Sequence, residues 1–273
     1  MLNFVKRPDA LWALSLGIWS VSWFLFPTFR TAILPVMLLH VPVAVIGIFD
    51  LRLGFFCPAL CGNPSEKNRC ALTFDDGPDP VLTPGILAVL ERHGFKATFF
   101  VIADRVKQYP EVARSIVAKG HSVACHDLSH RNTDNFRRQR GMTADITAAC
   151  RIIHAATGKW PLLYRPPVGL SNPHLRTALE KLGMTCIGWN RSIRDGGNRF
   201  AGRFRGMAGC SSPGAVIMLH DCLPRQEYRD AFIEHFTALC QQIQRKGLTS
   251  VTVDELFGIP AYREIGPAAP VIR

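Results

Sequence analysis

The stretch Ala71-Leu72-Thr73-Phe74-Asp75-Asp76-Gly77-Pro78 decides how the rest of the chain is interpreted. It predicts a short apolar strand that ends in two adjacent carboxylates and a Gly-Pro turn. Like charges this close raise one another's pKa unless a cation separates them. We therefore expect one carboxylate to bind a metal ion and the other to act as a base.

The remaining ligands of such a metal site lie further along the chain, in His126-Asp127-Leu128-Ser129-His130. Histidines four positions apart present both imidazoles on one side of a helical turn or tight loop. With Asp76, His126 and His130 form a set that leaves positions open for water and substrate, and this set predicts a metal-dependent hydrolase. Zinc is the default metal there, and cobalt, nickel and iron are alternatives. We expect Ser129 to hydrogen-bond within the loop and orient a ligand.

Two uncharged apolar stretches near the N-terminus, 11–26 and 32–49, predict a membrane anchor. A spanning helix needs about 20 apolar residues, with about 17 as the lower limit, so the first stretch is marginal. A cleaved signal peptide is an alternative for the first stretch, but no small-x-small cleavage site follows it. A buried helical hairpin of a soluble protein is another. We expect an anchor over 1–54, with transmembrane helices at about 11–26 and 32–51.

The basic residues beside these helices predict their orientation. Five of them flank the pair on its outer sides, namely Lys6, Arg7, Arg52, Lys67 and Arg69, and only Arg30 lies in the connecting turn. The positive-inside rule then places both ends in the cytoplasm of a bacterial-type inner membrane. The nine cysteines are odd in number and without framework spacing, which agrees with a reducing compartment.

A formal net charge of +11 predicts affinity for anionic surfaces. With an anchor present, anionic lipid headgroups are the simpler partner. No RNA- or DNA-binding motif accompanies the charge, so we expect no nucleic acid partner. We predict no protein partner either.

The chain beyond a Pro-, Gly- and Asn-rich linker at 55–69 alternates β-prone runs with helical patterns. The predicted strands are Cys70–Phe74, Ala97–Ile102, His121–Cys125, Leu162–Tyr164, Thr185–Trp189, Ala215–Leu219 and Leu248–Val251. The predicted helices are Thr83–His93, capped by Thr83, then Pro110–Lys119, Thr143–Thr157, opened by Thr143, and Tyr228–Lys246. This alternation predicts an α/β fold with a parallel sheet, and the number of units favours a closed barrel. The barrel domain is expected to cover 70–258, with an irregular tail at 259–273.

Polar residues of interest follow several of these strands, and the carboxyl ends of strands in an α/β barrel share one face. There, Asp75 is the expected general base that deprotonates a metal-bound water. Arg165, in Arg165-Pro166-Pro167-Val168-Gly169, is placed to pair with Asp75. The prolines fix the loop, so that the amide N–H of Val168 is free to face a developing oxyanion.

His220 emerges from another apolar strand onto the same face and suits a general acid for a leaving amine. Asp195 is the best candidate to hold that imidazole protonated. A histidine at a strand end often has only a structural role. The catalytic role of His220 is therefore inferred from the other site residues that share its face.

The chain resembles the polysaccharide deacetylase family over roughly Cys70 to Phe257. Five motifs occur in the family's order: Thr73–Pro78, His126-x-x-Ser-His130, Arg165-Pro-Pro-x-Gly169, Trp189 through Asp195, and Leu219-His-Asp221. The resemblance implies a distorted (β/α) barrel and metal-dependent removal of an N-acyl group, usually acetyl, from an amino sugar. It also implies the roles given above for the catalytic and metal-binding residues. Pro166, Pro167 and Trp189 are further candidates for substrate contacts.

Two positions depart from the family pattern. Val168 stands where an aromatic residue is common, and Gly196 stands where a tryptophan often follows the aspartate. Both positions help to wall the sugar pocket in the family. These departures put specificity for a glycan polymer in doubt, whereas the backbone donor at Val168 is unaffected.

The predicted sidedness conflicts with a cell-wall polymer as substrate. A lipid-linked amino sugar, N-deacylated on the cytoplasmic leaflet, reconciles the motifs with the topology. Two basic segments, Arg137–Arg140 and Arg203-Phe-Arg205, are candidates to bind its phosphate. The simpler alternative is that both segments are solvated loops on a positively charged face. The alternatives are an outward-facing deacetylase of peptidoglycan or exopolysaccharide, and a catalytically silent glycan-binding subunit.

Overall fold

The computed structural model describes residues 7–131, 137–193, 210–222 and 228–264 of the 273-residue chain. The described part begins with two apolar helices, α1 (Pro8–Leu25) and α2 (Arg30–Phe49), joined by a 3₁₀ turn. The helical hairpin therefore forms. Among the described residues, only Pro27–Phe49 is long and apolar enough to cross a membrane. The two-helix transmembrane anchor is thus not confirmed, because α1 does not meet that requirement.

The strands of the barrel domain pair in parallel, apart from one antiparallel pair. The strands are β1 (Ala59–Leu60), β2 (Arg69–Asp75), β3 (Ala97–Val101), β4 (Ser122–Cys125), β5 (Trp160–Pro161), β6 (Leu163–Tyr164), β7 (Thr185–Ile187), β8 (Arg191–Ser192), β9 (Val216–His220), β10 (Thr249–Ser250) and β11 (Tyr262–Arg263). The main sheet has the order β1-β7-β6-β4-β3-β2-β9-β8, and β10 also pairs with β2. β5 and β11 form a separate antiparallel pair.

The course of the chain between β7 and β8 shows that the sheet curves back on itself. These two strands lie towards opposite ends of the order, yet only residues 188–190 separate them in sequence. Such a short connection can join the two sides only if the sheet is nearly closed. The distorted (β/α) barrel expected from the sequence is therefore confirmed.

Amphipathic helices cover the outside of the sheet. They are α3 (Leu82–Arg92), α4 (Ala103–Gln108), α5 (Pro110–Ala118), α6 (Gln139–Thr157), α7 (Pro173–Leu182), α8 (Arg229–Arg245) and α9 (Val253–Phe257). In α8, Phe232, Phe236 and Ile243 recur at helical spacing and are fully buried. Phe236 packs edge-on against Phe74 of β2 with ring centroids 5.3 Å apart. This packing fixes the strand that carries the two carboxylates.

Two predicted helix starts are wrong. Thr83 lies inside α3, whose first amides, of Val81 and Leu82, donate instead to the Asp79 carboxylate at 2.9 and 2.7 Å. α6 begins at Gln139 rather than at Thr143. Its apolar face starts a turn earlier than predicted, because Met142 is already packed in the core.

The expected linker and tail both contribute strands. Within 55–69, β1 pairs in parallel with β7, with Ala59 opposite Cys186. Within 259–273, β11 pairs antiparallel with β5. Backbone pairing of this kind joins residues far apart in sequence, so the composition of either segment does not indicate it.

Candidate metal-dependent active site

The C-terminal end of β2 lies at the centre of the candidate site. Asp75 is in register with Phe100 of β3 on one side and with His220 of β9 on the other. Because all three strands are parallel, their ends deliver side chains to the same face. Asp75 is 3% exposed, and its carbonyl oxygen accepts a hydrogen bond from the amide of Asp221 at 3.1 Å.

Asp76, His126 and His130 converge just beyond this strand end. Asp76 Oδ1 lies 3.3 Å from His126 Nε2 and 3.4 Å from His130 Nε2. The three potential ligand atoms are all within 4.8 Å of one another. Asp76 Oδ1 is buried and has no hydrogen-bond partner. Two imidazole nitrogens around an orphaned carboxylate oxygen fit a divalent metal ion, because the ion would satisfy all three.

The backbone fixes the orientation of His126. Its Nδ1 donates to the carbonyl oxygen of Arg165 at 2.9 Å. Since a carbonyl only accepts, Nδ1 carries a proton, and Nε2 is the ring nitrogen turned towards Asp76. The loop beyond His126 is held by the first amides of α4, which donate to the carbonyls of Asp127 and Leu128 at 3.1 and 3.0 Å.

The site loops contain strained backbone. Among the described non-glycine residues, those with positive φ are Asp76 (72°), Asp127 (90°), His130 (55°) and Val168 (59°). Left-handed conformations are costly for residues with a Cβ and cluster at functional sites. All four belong to the segments predicted to form the site.

The charges of the cluster shift the pKa values of its members. Burial raises the pKa of Asp76, but the neighbouring imidazoles, His126 first, outweigh this and hold it below its ordinary value. Burial lowers the pKa of His126, but the charges of Asp75 and Asp76 together raise it. Burial and the charge of His126 lower the pKa of His130. The pKa values of the three groups therefore depend on one another.

Arg165 follows β6 and is completely buried. Its Nη1 donates to Asp75 Oδ1 at 2.7 Å and to the hydroxyl of Thr73 at 2.8 Å. The rest of the guanidinium donates to the carbonyl of Ile187, the last residue of β7, at 3.2 Å and to that of Gly188, just after it, at 2.9 Å. The predicted pairing of Arg165 with Asp75 is therefore present in the structure.

The loop after Arg165 exposes one residue, Val168. Pro166 and Pro167 are buried, whereas Val168 is 63% exposed. The amides of Gly169 and Leu170 donate back into the loop at 3.0 and 3.2 Å. No partner is found for the Val168 amide among the described residues.

Trp189 packs against both the loop and Arg165. A Cβ on Gly169 would lie 2.5 Å from the Trp189 ring, so the loop needs glycine here. The guanidinium of Arg165 lies 5.6 Å from the ring centroid of Trp189 and 4.0 Å from that of Phe100. These cation–π contacts help to hold a buried positive charge. The roles of Thr73 and Phe100 were missed from the sequence, although Thr73 stands within the first motif.

The remaining predicted residues are placed as follows. His220 ends β9, is half-buried, and lies close enough for its charge to act on Asp76. Ser129 is half-buried within the loop between the two histidines. The predictions for Asp195, Arg203 and Arg205 fall outside the described residues. Of the other basic segment, Arg137 pairs with Asp145 at 2.6 Å.

Asp221 is a further residue of the site that sequence reasoning left without a role. Its carboxylate is fully buried beneath Gly77 and accepts a hydrogen bond from the Thr83 hydroxyl at 2.7 Å. A side chain on Gly77 would overlap that carboxylate. Burial raises the pKa of Asp221 to about 7. Asp221 therefore supports the turn that carries Asp76, and its position next to His220 was the available signal.

Comparison with known proteins agrees with this geometry. Residues 62–187 match the family model described as polysaccharide deacetylase. A chitooligosaccharide deacetylase from Bradyrhizobium sp. (strain ANU 289) is 32% identical over 211 residues, which cover 74% of this chain and 94% of the relative. The peptidoglycan-N-acetylglucosamine deacetylase PgdA of Listeria monocytogenes is 33% identical over 194 residues. That match covers 70% of this chain but only 39% of PgdA.

Solved structures give the same result. The peptidoglycan deacetylase PdaC from Bacillus subtilis superimposes with a TM-score of 0.62 at 28% identity, covering 72% of this chain and 92% of that one. A family 4 carbohydrate esterase from Streptomyces lividans, in complex with acetate, gives a TM-score of 0.59 at 28% identity, over 68% and 93% of the two chains. The chain belongs to the polysaccharide deacetylase family. It is a carbohydrate N-deacetylase, a metal-dependent hydrolase of a linear amide bond.

Proposed function

We propose that the protein removes the N-acetyl group from an amino sugar carried by a membrane lipid, at the cytoplasmic face of the membrane. The observation that carries this proposal is a direct junction between the apolar helix α2 and the candidate catalytic loop. Ser171, two residues beyond Gly169, donates from its amide to the carbonyl of Ile48 and from its hydroxyl to that of Gly47, both at 2.9 Å. Ser171 is 2% exposed, so this contact is sealed from water.

A second contact supports the same arrangement. Asp9 of α1 is 6% exposed and lies 3.8 Å from Arg176 of α7. Both apolar helices are therefore packed against the part of the barrel that follows Arg165. If α2 spans the membrane, the active site lies beside the bilayer surface, where a lipid-linked sugar resides and a cell-wall polymer does not.

The chemistry follows from the placement of each side chain. Asp76, His126 and His130 would hold the metal, with zinc first and cobalt, nickel or iron as alternatives. The metal, when bound, supplies a Lewis acid that polarises the amide carbonyl and acidifies water. Asp75 takes the proton of the attacking water on Oδ2, since Oδ1 is occupied by Arg165.

Two other groups complete the proposed reaction. The N–H of Val168, for which no partner is found among the described residues, is available to the oxygen that gains negative charge. His220, beside Asp75 in register, donates a proton to the departing amine nitrogen. The products are acetate and a free amino group on the sugar.

Buried cysteines support a cytoplasmic position for the barrel. The neighbouring Cys57 thiol, together with burial, raises the pKa of the Cys186 thiol well above its ordinary value. Neither cysteine forms a disulfide. Nine cysteines, an odd number without framework spacing, fit a reducing compartment such as the cytoplasm.

A pair of reporter fusions tests the sidedness. Alkaline phosphatase matures only outside the cytoplasm, whereas green fluorescent protein exported through the Sec pathway does not fluoresce. We expect fusions to Arg273 to be fluorescent and to lack phosphatase activity. Phosphatase activity with a dark fluorescent fusion would place the barrel outside and remove the cytoplasmic proposal.

The second candidate function is an outward-facing N-deacetylase of peptidoglycan or exopolysaccharide. It is favoured by the names of the relatives, which are deacetylases of peptidoglycan and chitooligosaccharides. The same fusions separate the two candidates. So does a comparison of acetate release from lipid-linked sugar and from peptidoglycan fragments by the full-length enzyme.

A further inference from the structure

A cavity lies between the apolar helix α2 and the barrel. It has a volume of about 580 Å³, within the usual range of about 300–1,000 Å³ for small-molecule sites. Among the described residues, Ile46, Phe49 and Leu51 line it from the end of α2 and the turn that follows. Gly169, Trp189 and Met218 line it from the barrel.

The barrel wall of this cavity adjoins the candidate active site. Met218 and His220 lie two residues apart on β9, so their side chains point to the same face of the strand. Met218 is in register with Thr73, and His220 with Asp75. Gly169 follows the proposed oxyanion donor Val168 in sequence. Two lining residues, Met218 and Gly169, are therefore close in the chain to residues proposed for catalysis, although none of the proposed catalytic side chains lines the cavity itself.

The opposite wall belongs to the last turn of the membrane-spanning candidate. Ile46 and Phe49 line the cavity, yet they are 55% and 67% exposed. A segment that spans a bilayer places its last turn where hydrocarbon meets the headgroups. If α2 spans the bilayer, the cavity lies at the depth at which a lipid chain meets its polar head, and α2 supplies an apolar wall there.

We propose that this cavity binds the first apolar units of the substrate's lipid carrier, so that α2 forms part of the substrate site as well as the anchor. This inference rests on the proposed function, and it specifies the carrier chain as the part of the substrate that α2 recognises. The sugar then extends past Trp189 towards Asp75. Ile46, Phe49, Leu51 and Met218 supply the apolar part of the lining that contacts the carrier, and the rest of the lining includes polar and charged residues, namely Asp50, Arg52, Asn190 and Ser192.

Photolabelling of the full-length protein in phospholipid nanodiscs tests this proposal, and its readout does not require enzymatic activity. The probe is geranylgeranyl monophosphate with a diazirine on its first isoprene unit, and labelled peptides are identified by mass spectrometry. We expect labels on 46–52 and on Met218. An Ile46→Trp variant fills the cavity from an exposed position and should reduce this labelling at least tenfold.

The matched control is Leu39→Trp, which alters the same helix at a residue that is 64% exposed and does not line the cavity. It should label like the wild type. Labels spread along α1 and α2, or equal labelling in Ile46→Trp and the wild type, would overturn the proposal. Equal loss in both tryptophan variants would do the same. Failure of the proposed function is seen separately, as absence of acetate release from lipid-linked sugar while cavity labelling persists.

Kinetics give a second readout where the wild type is active. The Ile46→Trp variant should raise the KM for a lipid-linked N-acetylhexosamine at least tenfold with kcat preserved, because it removes carrier binding and leaves the reacting groups in place. A fall in kcat with unchanged KM would contradict carrier binding at this cavity.

Discussion

The carbonyl oxygen of Arg165 accepts a hydrogen bond from His126 Nδ1 at 2.9 Å, while the side chain of Arg165 holds Asp75 at 2.7 Å. One buried residue therefore orients both a proposed metal ligand and the proposed base. The positions of these two groups relative to each other depend on a single strand end. This coupling explains why the arginine is fully buried despite the cost of desolvating its charge.

Replacing this arginine should damage both stability and activity. Arg165→Met leaves the Asp75 carboxylate buried without its partner, which typically costs about 3–5 kcal/mol. We expect a loss of that size in the free energy of unfolding and a fall in kcat of at least a hundredfold.

A double variant distinguishes the lost ion pair from a general packing defect. Arg165→Met combined with Asp75→Asn removes the unpaired charge, so it should be more stable than Arg165→Met alone. Chemical denaturation of both variants and of Asp75→Asn gives the coupling. Additive losses would contradict a direct Arg165–Asp75 interaction.

Replacing Asp75 and replacing Asp76 by asparagine should affect metal content differently, although both changes should lower activity. Asp75→Asn removes the proposed base and should lower kcat by about 10²–10⁴-fold with metal content preserved. Asp76→Asn removes a proposed ligand and should lose the metal along with the activity. Metal analysis of both proteins after equilibration with zinc checks this. Metal loss in Asp75→Asn and retention in Asp76→Asn would exchange the two roles.

Gly169 should be required for activity because of its close contact with Trp189 as well as its backbone conformation. Gly169 and Gly158 both have φ of 71°, so alanine at either should cost about 1–2 kcal/mol. An alanine at 169 also meets the Trp189 ring, whereas nothing lies within 4 Å of a Cβ at 158. We expect Gly169→Ala to lower kcat/KM at least tenfold and Gly158→Ala to leave it close to wild type. Equal effects on kcat/KM would show that the contact with Trp189 has no role in catalysis.

Asp221 should make the stability of the protein depend on pH. Its pKa rises from 3.8 to about 7 on folding, so the folded state binds the proton more tightly than the unfolded state. The resulting contribution is complete below pH 3.8 and is lost as the pH rises through about 7. It amounts to roughly 4 kcal/mol at about 1.36 kcal/mol per pKa unit.

An Asp221→Asn variant tests that dependence, since its amide oxygen still accepts from Thr83 but does not titrate. Relative to the wild type, the variant should become more stable as the pH rises from 4 to 8. Thermal midpoints of the two proteins across that interval measure the difference. A difference that stays constant with pH would contradict titration of Asp221.

The sequence predicted the barrel and the placement of its site well, because both depend on local patterns. Apolar runs followed by Asp75, His126, Arg165 and His220 mark strand ends, and strand ends of a parallel barrel meet on one face. Helix α7 was missed although its signals are present. Asn172 caps it, Pro173 opens it, and Gly183 ends it in a left-handed conformation.

Tertiary contacts were beyond sequence reasoning. The hydrogen bonds of Ser171 with α2, the parallel pairing of β1 with β7, and the burial of Asp221 under Gly77 all join segments distant in sequence. The wrong cap at Thr83 has the same origin. Its hydroxyl donates to Asp221 in the folded barrel instead of capping α3.

Mass spectrometry of a polyprenyl-phosphate N-acetylhexosamine, incubated with zinc-loaded full-length protein, measures the proposed reaction on the proposed substrate. The Asp75→Asn protein, checked for equal zinc content, is the control. We predict that the wild type alone removes one acetyl group from the lipid-linked sugar. An unchanged lipid-linked sugar, together with acetate release from chitin or peptidoglycan oligomers by the same preparation, would contradict the proposed substrate.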